Sequence, residues 1–566
     1  MPRFLTSVIA AAMAACSPAA AEQEKTSSPV PAEFQSLISK DAKFVFFMKN
    51  PARVMNEAKS LGIVKELPPT TLSKGMELPF TSEKPIQADQ FFIGWSNEFP
   101  QLFEEPVMHL ATRIPADQVN KLKPKKDFSI EYVGDIAIFT TSPNQTWKKP
   151  EETSNPMLTA LPDMDIAAAL DGDKMGEMMS SNVQEFLYTL PMMFESRMKE
   201  YAKGAAKYAD PVVSKAIQGA TKDFQDLIGE VLPTVRTADT LTAGINFRAD
   251  TLDLDVVMHL KEDMPPSDAF DDHLVDQLPP GLPVYLALNG QAARWISLIE
   301  FDVLEGFLMN KADQVAKFDA LKTQWGKMVK QIKGGITVGM SLNTAYQWSN
   351  IQVDDGAAFM AACNAVMGDL GTLGVGIKTK PSGTNSWQME IDGKEIASLM
   401  GGPQAEQQAI AEQYGGSYGT SAVRSGNLVM AKQYPIDAAK FPMDAQDQSL
   451  FKRLKTSDSE RMIVGIAADL GLMIQQDFLK QMKREKANPK AMKTLQATLP
   501  KGLIALHINL NRVDDRQIGL AVDFPLAQAI EYSKTLSNVS KPEPKKMKTE
   551  SGNSPKVDSK ENLKLN

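Results

Sequence analysis

Two distant stretches of this chain open in the same way, and that recurrence limits the folds open to it more than any other feature. Lys43-Phe44-Val45-Phe46-Phe47-Met48 is a short apolar run of strand character, followed by a helical stretch from Pro51 to Leu61. Pro283-Val284-Tyr285-Leu286-Ala287-Leu288 repeats the run, and a helical stretch follows from Gln291 through about Leu308. Tyr132-Val133-Gly134-Asp135 turns tightly into Ile136-Ala137-Ile138-Phe139, and Val423-Arg424-Ser425-Gly426-Asn427 turns into Leu428-Val429-Met430 in the same manner. Ile166 to Asp171 and Ile463 to Asp469 are each a short strand ending in an acidic residue before a helix. Each series closes on a hairpin pattern: Leu241 to Arg248 with Leu252 to Leu260, then Leu503 to Leu510 with Ile518 to Phe524. In Leu252-Asp253-Leu254-Asp255-Val256 the alternation puts apolar residues on one face and acids on the other.

Matches in one order predict an α+β protein of two similar halves, each a mainly antiparallel sheet with helices packed on one face. The first half covers 33–275 and the second 276–540. The spacing differs chiefly through a helical insertion over 174–232. There Met175, Met178, Met179, Val183, Phe186, Leu187 and Leu190 form one apolar stripe, and Val212 to Ile228 form another. Residues 22–32 read as a flexible linker. The Lys-, Ser- and Pro-bearing tail over 541–566 has too little apolar surface to offset the entropy of ordering.

The first residues read as an export segment, with Arg3 ahead of an Ala-rich apolar run from Phe4 to Ala15. Two exits are open. Ala19-Ala20-Ala21 before Glu22 is an A-x-A cleavage site, making 1–21 a signal peptide. Met13-Ala14-Ala15-Cys16 instead matches a lipobox with Met in place of Leu, ending the signal at 15 and lipidating Cys16. Both place the mature chain outside the cytoplasm, in the periplasm, secreted, or tethered through Cys16. No later run approaches the roughly 20 apolar residues of a membrane-spanning helix. A net charge of −8 argues against a nucleic-acid partner, which needs a concentrated positive field.

Catalytic patterns fail on context. Gly415-Gly416-Ser417-Tyr418-Gly419 is a literal G-x-S-x-G, followed in hydrolase order by Asp469 and His507. That motif needs a strand before the serine and a helix after it, whereas here a helical stretch (Gln404 to Gln413) precedes and a strand (Ser421 to Ala431) follows. The glycines therefore read as a turn. Gly368, Gly371, Gly374 and Gly376 follow a helix (Ala357 to Met367) and precede a strand (Val375 to Lys378), the reverse of a phosphate-binding loop. Asp171-Gly172-Asp173 begins like a calcium loop but has Met175 and Asn182 where oxygen ligands belong, so Asp171 or Asp173 reads as a helix cap, with Asp163 and Asp165 on the same polar edge.

His109, His259, His273 and His507 never fall at i, i+4, and the two cysteines are Cys16 and Cys363, so no zinc pattern is present. Cys363, among small residues, reads as a buried apolar side chain. No metal and no cofactor is expected.

The duplicated plan resembles an uncharacterised family of exported bacterial proteins built from repeated α/β halves. The resemblance is carried by Pro283 to Leu288, Val133 to Asp135 with Ser425 to Asn427, and the closing hairpins. It implies architecture and brings no functional residues. The expected function is that of a non-enzymatic envelope protein that binds or scaffolds a partner. Alternatives are a carrier of a lipid or other apolar ligand, with the Met-rich helices as lining, and a serine hydrolase using Ser417.

Overall fold

The structure is a computed structural model that describes residues 28–60, 80–81, 91–98, 107–114, 123–124, 129–142, 144–173, 237–248, 251–264, 266–294, 297, 315–341, 346–372, 377–381, 383–392, 417–435, 450–455, 461–473, 475 and 504–539. The export segment with Cys16, the start of the linker, the helical insertion and the tail lie outside the described residues.

The fold mixes helix and sheet, and most of it is one antiparallel sheet of 18 strands. In chain order the strands are β1 (Phe44–Lys49), β2 (Phe80–Thr81), β3 (Phe91–Ser96), β4 (His109–Arg113), β5 (Lys123–Pro124), β6 (Ser129–Val133), β7 (Ile136–Thr140), β8 (Ile166–Asp171), β9 (Ala238–Phe247) and β10 (Leu252–Leu260). They continue as β11 (Val284–Leu288), β12 (Ile332–Met340), β13 (Gln347–Val353), β14 (Ile377–Pro381), β15 (Ser386–Asp392), β16 (Ser417–Ser425), β17 (Leu428–Pro435), β18 (Met462–Asp469), β19 (Ala505–Asp514) and β20 (Gln517–Phe524). β2 and β5 pair with each other alone.

From edge to edge the large sheet runs β6–β7–β4–β3–β1–β8–β9–β10, crosses to β20, and continues β19–β18–β11–β12–β13–β17–β16–β15–β14. The sequence predicts a separate sheet for each half. Backbone pairing of β10 with β20, from Leu252 opposite Phe524 to His259 opposite Gln517, merges them into one.

Alternation decides which side chains become core. Val45, Phe47, Ile93, Trp95, Ala167 and Ala169 point to one face, beneath Phe34, Leu37, Ile38, Met157, Leu158 and Leu161 from short turns and helices. Farther along the sheet, Tyr285, Ala287 and Ala467 sit beneath Phe270, Leu274, Leu278, Leu450 and Leu454. A third cluster joins Leu288, Ile332, Val353 and Val429 to Met328 and Val329 of helix Val315–Val329 and to Phe359, Met360 and Cys363 of helix Gly356–Thr372.

Polar clamps hold the loops that enter β1 and β11. Asn155 is buried and donates through Nδ2 to the carbonyls of Ser39 (3.0 Å) and Lys40 (3.1 Å), while its Oδ1 accepts the Met157 N–H at 2.9 Å. The Tyr285 hydroxyl donates to the Pro279 carbonyl (2.7 Å) and accepts the Leu282 N–H (2.8 Å).

The two tight hairpins take the predicted form. Gly134 and Gly426 both have φ of +63°, and the Asp135 and Asn427 that follow them do not have positive φ. A positive φ at the first of two loop residues is what a type II′ turn requires of glycine.

Helix Gly356–Thr372 runs past the predicted end at Met367 and takes in Gly368 and Gly371. Each glycine costs about 1 kcal/mol in a helix. Burial of Val366 and Leu370 on the inner face offsets that cost. Leu526–Val539, a helix the sequence reading did not anticipate, follows β20. Among the described residues no helix is long and apolar enough to cross a membrane.

Candidate functional site

On one face of the four central strands the core is interrupted by polar side chains. Asp253, Asp255, Val257 and His259 of β10 share that face by alternation. The register carries it onto Asp523, Ala521, Gly519 and Gln517 of β20. It continues onto His507, Asn509 and Asn511 of β19, opposite Asp523, Ala521 and Gly519, and onto Asn246, Gly244, Thr242 and Thr240 of β9. At the middle of β20 only Gly519 and Ala521 stand between the two walls. The result is a trough two strand spacings wide, about 10 Å, with Asp253 and Asp255 on one side and His507, Asn509 and Asn511 on the other.

The walls are shielded and under-satisfied. Asn511 is 1% exposed and Asn509 3% exposed. Neither amide atom of Asn511 has a hydrogen-bond partner, and neither Asn509 Oδ1 nor His507 Nε2 has one. A buried polar atom without a partner costs about 1–3 kcal/mol, so a cluster of them on one face demands a cause.

Charge sharpens the picture. Burial, together with the nearby Asp253 carboxylate and against the pull of Arg248, pushes the Asp255 carboxyl up to about 6. Burial also raises Asp253, with Arg248 opposing and Asp523 adding to the rise. Arg248 Nε lies 2.7 Å from Asp253 Oδ2, off the direction of a hydrogen bond. Burial lowers His507, with Asp523 opposing and Arg453 reinforcing, so its ring is neutral near pH 7.

A stability consequence follows for Asp255→Asn. A carboxyl raised by folding favours the native state below its unfolded value of 3.8, and that contribution is lost as the pH rises through about 6. Removing the charge should therefore stabilise the protein at pH 7.5 by about 1 kcal/mol after discounting for partial exposure. The gain should shrink toward zero at pH 4. Chemical denaturation at the two pH values reads this directly, and a variant less stable at pH 7.5 contradicts it.

The residues singled out in the sequence fall apart in space. Ser417 begins β16, opposite Asp392 of β15, so it is strand rather than the predicted turn; pairing with its neighbours extends the strand to that point. β16 lies six strands from β19 in the sheet order, roughly 29 Å measured along the sheet. Asp469 ends β18, and its Oδ1 accepts the Leu472 N–H at 3.0 Å, a helix-capping role. His507 faces Ala467 and Asp523 across its neighbouring strands. The three do not form a catalytic frame along this ladder.

Asp171 pairs with Lys43 at 2.7 Å and accepts the Asp173 N–H at 3.0 Å, while Asp173 pairs with Lys261. Asp163 pairs with Lys49, and Asp165 pairs with Arg53 and accepts the Phe247 N–H at 3.0 Å. Cys363 is buried, its Sγ lies 3.2 Å from Met328 Sδ, and burial pushes its thiol up to about 12. It should resist iodoacetamide in native protein at pH 8 and react only in denaturant, as peptide mass spectrometry would show; rapid native labelling would refute the packing.

Asp271, Asp272 and His273 are the one trio among the described residues whose ligand atoms lie within 4.8 Å of one another, and sequence spacing did not flag them. They lie where the chain enters the four-residue helix His273–Asp276, with the two acids half-buried and His273 exposed, and Asp271 Oδ1 already accepts the His273 N–H.

No family model matches the chain, and no curated protein matches it. One solved structure, described as crystal form III of TP0453, aligns over 46% of this chain and 96% of its own at 8% identity and a TM-score of 0.20. A likeness that slight carries no argument.

Proposed function

We propose that the chain is an exported, non-enzymatic binding protein made of two copies of one unit, with its ligand seat in the trough where the copies meet. The strand order supports duplication. β1 lies between β3 and β8, with β4–β7–β6 beyond on one side and β9–β10 on the other. β11 lies between β12 and β18, with β13–β17–β16 beyond on one side and β19–β20 on the other.

Register makes the correspondence residue by residue. If Phe44 corresponds to Val284, the ladders carry Leu170 to Ala468, Leu241 to Leu506, Leu252 to Ile518 and Met258 to Phe524. The joint pairs Leu252 with Phe524 and Met258 with Ile518. Exchanging the copies returns the same pairs, as at the interface of a twofold dimer.

The observation that carries the binding reading is the set of shielded atoms without a hydrogen-bond partner at this joint: both amide atoms of Asn511, Asn509 Oδ1 and His507 Nε2. An unpaired buried polar group is a standing cost, and a ligand that satisfies it removes that cost. The apolar-carrier reading rests on the Met-rich helices over 174–232, which lie outside the described residues.

Thermal-shift measurements with neutral, anionic and cationic polar solutes test the seat. A solute that raises the melting temperature of wild type but not of Asn511→Leu is the expected result. If every polar solute leaves wild type unmoved, or acts equally on both, the seat is not there. The mass of the mature N-terminus, purified from cells, decides between cleavage after Ala21, lipidation of Cys16 and retention of the leader.

A further inference from the structure

Building on the seat described above, we propose that its ligand is a small organic cation, an ammonium or guanidinium group carried on a neutral hydrogen-bonding body. The acids occupy one end of the trough. Asp253 and Asp523 stand directly opposite each other, and Asp255 lies one same-face step along β10. Among the described residues, Arg248 and Arg453 are the basic groups whose charges act on this end. Arg248 is largely exposed and pairs with Asp253 at 2.7 Å, so its neutralisation falls mainly on that acid and less on Asp255, which stays raised. A buried group of like charges is relieved by a cation, and N–H donors suit carboxylate acceptors.

Farther along the trough the chemistry becomes neutral. Asn509, Asn511 and Gln517 offer amide donors and acceptors, and between the walls β20 contributes only the small Gly519 and Ala521. Asn511 presents an unpartnered donor and an unpartnered acceptor. A hydroxyl- or amide-bearing body can satisfy both, which an alkyl chain cannot.

A bare metal ion fits less well. It draws its oxygen ligands to about 2.0–2.6 Å from one point, which brings ligand atoms together. The acids of the trough are not such a group; the trio that converges among the described residues is Asp271, Asp272 and His273. Carboxylates spread along a strand suit a larger cation with several N–H directions.

Calorimetric titration of the full mature chain at pH 7.5 provides the test. The probes are glucosamine, ethanolamine and argininamide, which pair a cation with a polar body. Glucose, glucuronate, butylamine and calcium chloride serve as controls. At least one of the first three should bind, and each control should bind at least tenfold more weakly. Asp255→Asn should weaken binding at least tenfold while still melting cooperatively, which separates loss of the seat from loss of the fold.

Binding should also fall as the pH drops from 7.5 to 5. Among the described residues the charged groups acting on Asp255 are Asp253 and Arg248, while Asp523 and His507 lie beside Asp253 in the next row, with Arg453 acting on His507. Protonation of Asp255, whose carboxyl is pushed up to about 6, removes negative charge over this range and so weakens the hold on a cation. Tighter binding of glucose, glucuronate or calcium would overturn the cation assignment and leave the seat standing. Binding by none of the seven probes would overturn the cation assignment, and the wider solute screen then decides the seat independently.

Discussion

Gly335→Ala is expected to prevent the protein from reaching a stable native state, a loss of at least about 4 kcal/mol. Gly335 has φ of +103°, where a side chain meets its own backbone, and an added Cβ would lie 2.2 Å from the Leu288 carbonyl oxygen. That oxygen belongs to the backbone of β11, so relief requires moving a strand held on both sides by β12 and β18. The glycine also follows a register shift in β12 between Ile332 and Gly335, where the strand takes up extra backbone against β13. Gly334→Ala is the internal control. Its Cβ would meet Gln352 Cγ at 2.6 Å and Cβ at 2.9 Å, side-chain rather than carbonyl atoms, and its φ is not positive, so the loss should stay at about 2–3 kcal/mol. Soluble yield and urea midpoints of the two variants distinguish them. Equal, mild effects would mean that the β11–β12 approach is looser than its backbone contacts imply.

Asn155→Ala should cost about 3 kcal/mol, though the residue touches no ligand and lies in no strand. One side chain serves the Ser39 and Lys40 carbonyls and the Met157 N–H, all at 2.9–3.1 Å. Its removal leaves the Lys40 carbonyl and the Met157 N–H without this partner in a place water does not readily enter, each at about 1–3 kcal/mol before relaxation, while the Ser39 carbonyl keeps the Ala42 N–H. Asn155→Asp should be no better, because it replaces the two donors with an acceptor facing carbonyl oxygens. Guanidinium unfolding of both variants is the measurement. A loss below about 1 kcal/mol for either would show that the β1 entry loop holds without this clamp.

Legibility in the sequence divided along a physical line. β1, β8, β11, β18 and the two closing hairpins were readable because their apolar runs and turn residues are local. So was the Gly426-Asn427 hairpin. The merging of two sheets into one was not readable, because the partners β10 and β20 lie on opposite sides of the whole second series of strands. Neither sequence states that they pair.

The trough was half visible. Alternation in Leu252-Asp253-Leu254-Asp255-Val256 marked an acidic face, and His507-Ile508-Asn509-Leu510-Asn511 repeats the alternation in β19 with imidazole and amides. Taken together with the small Gly519 and Ala521 between Gln517 and Asp523, those patterns carry the signal that could have found the site. What they lack is the register that sets Asp255, Ala521 and Asn509 in one row. Ser417 misled in the opposite sense, since a motif counted in residues says nothing of the five strands between it and His507. The duplicated plan is also obscured where the proposed copies solve one problem with different residues. The carbonyl at Ser39 takes a side-chain hydrogen bond from Asn155, and the corresponding carbonyl at Pro279 takes one from Tyr285.

A sheet this wide ends in two margins, and their makeup bears on whether molecules zip together. Among the described residues β6 and β14 each have a strand neighbour on one side only. β14 is short and carries Lys378, Lys380 and Pro381, and β6 carries Glu131 in its middle. An incoming strand would have to bury those charges and forgo the N–H that proline lacks. The antiparallel addition that joins β10 to β20 inside one chain is thus discouraged at its rims, which keeps the ladder from growing into a fibre.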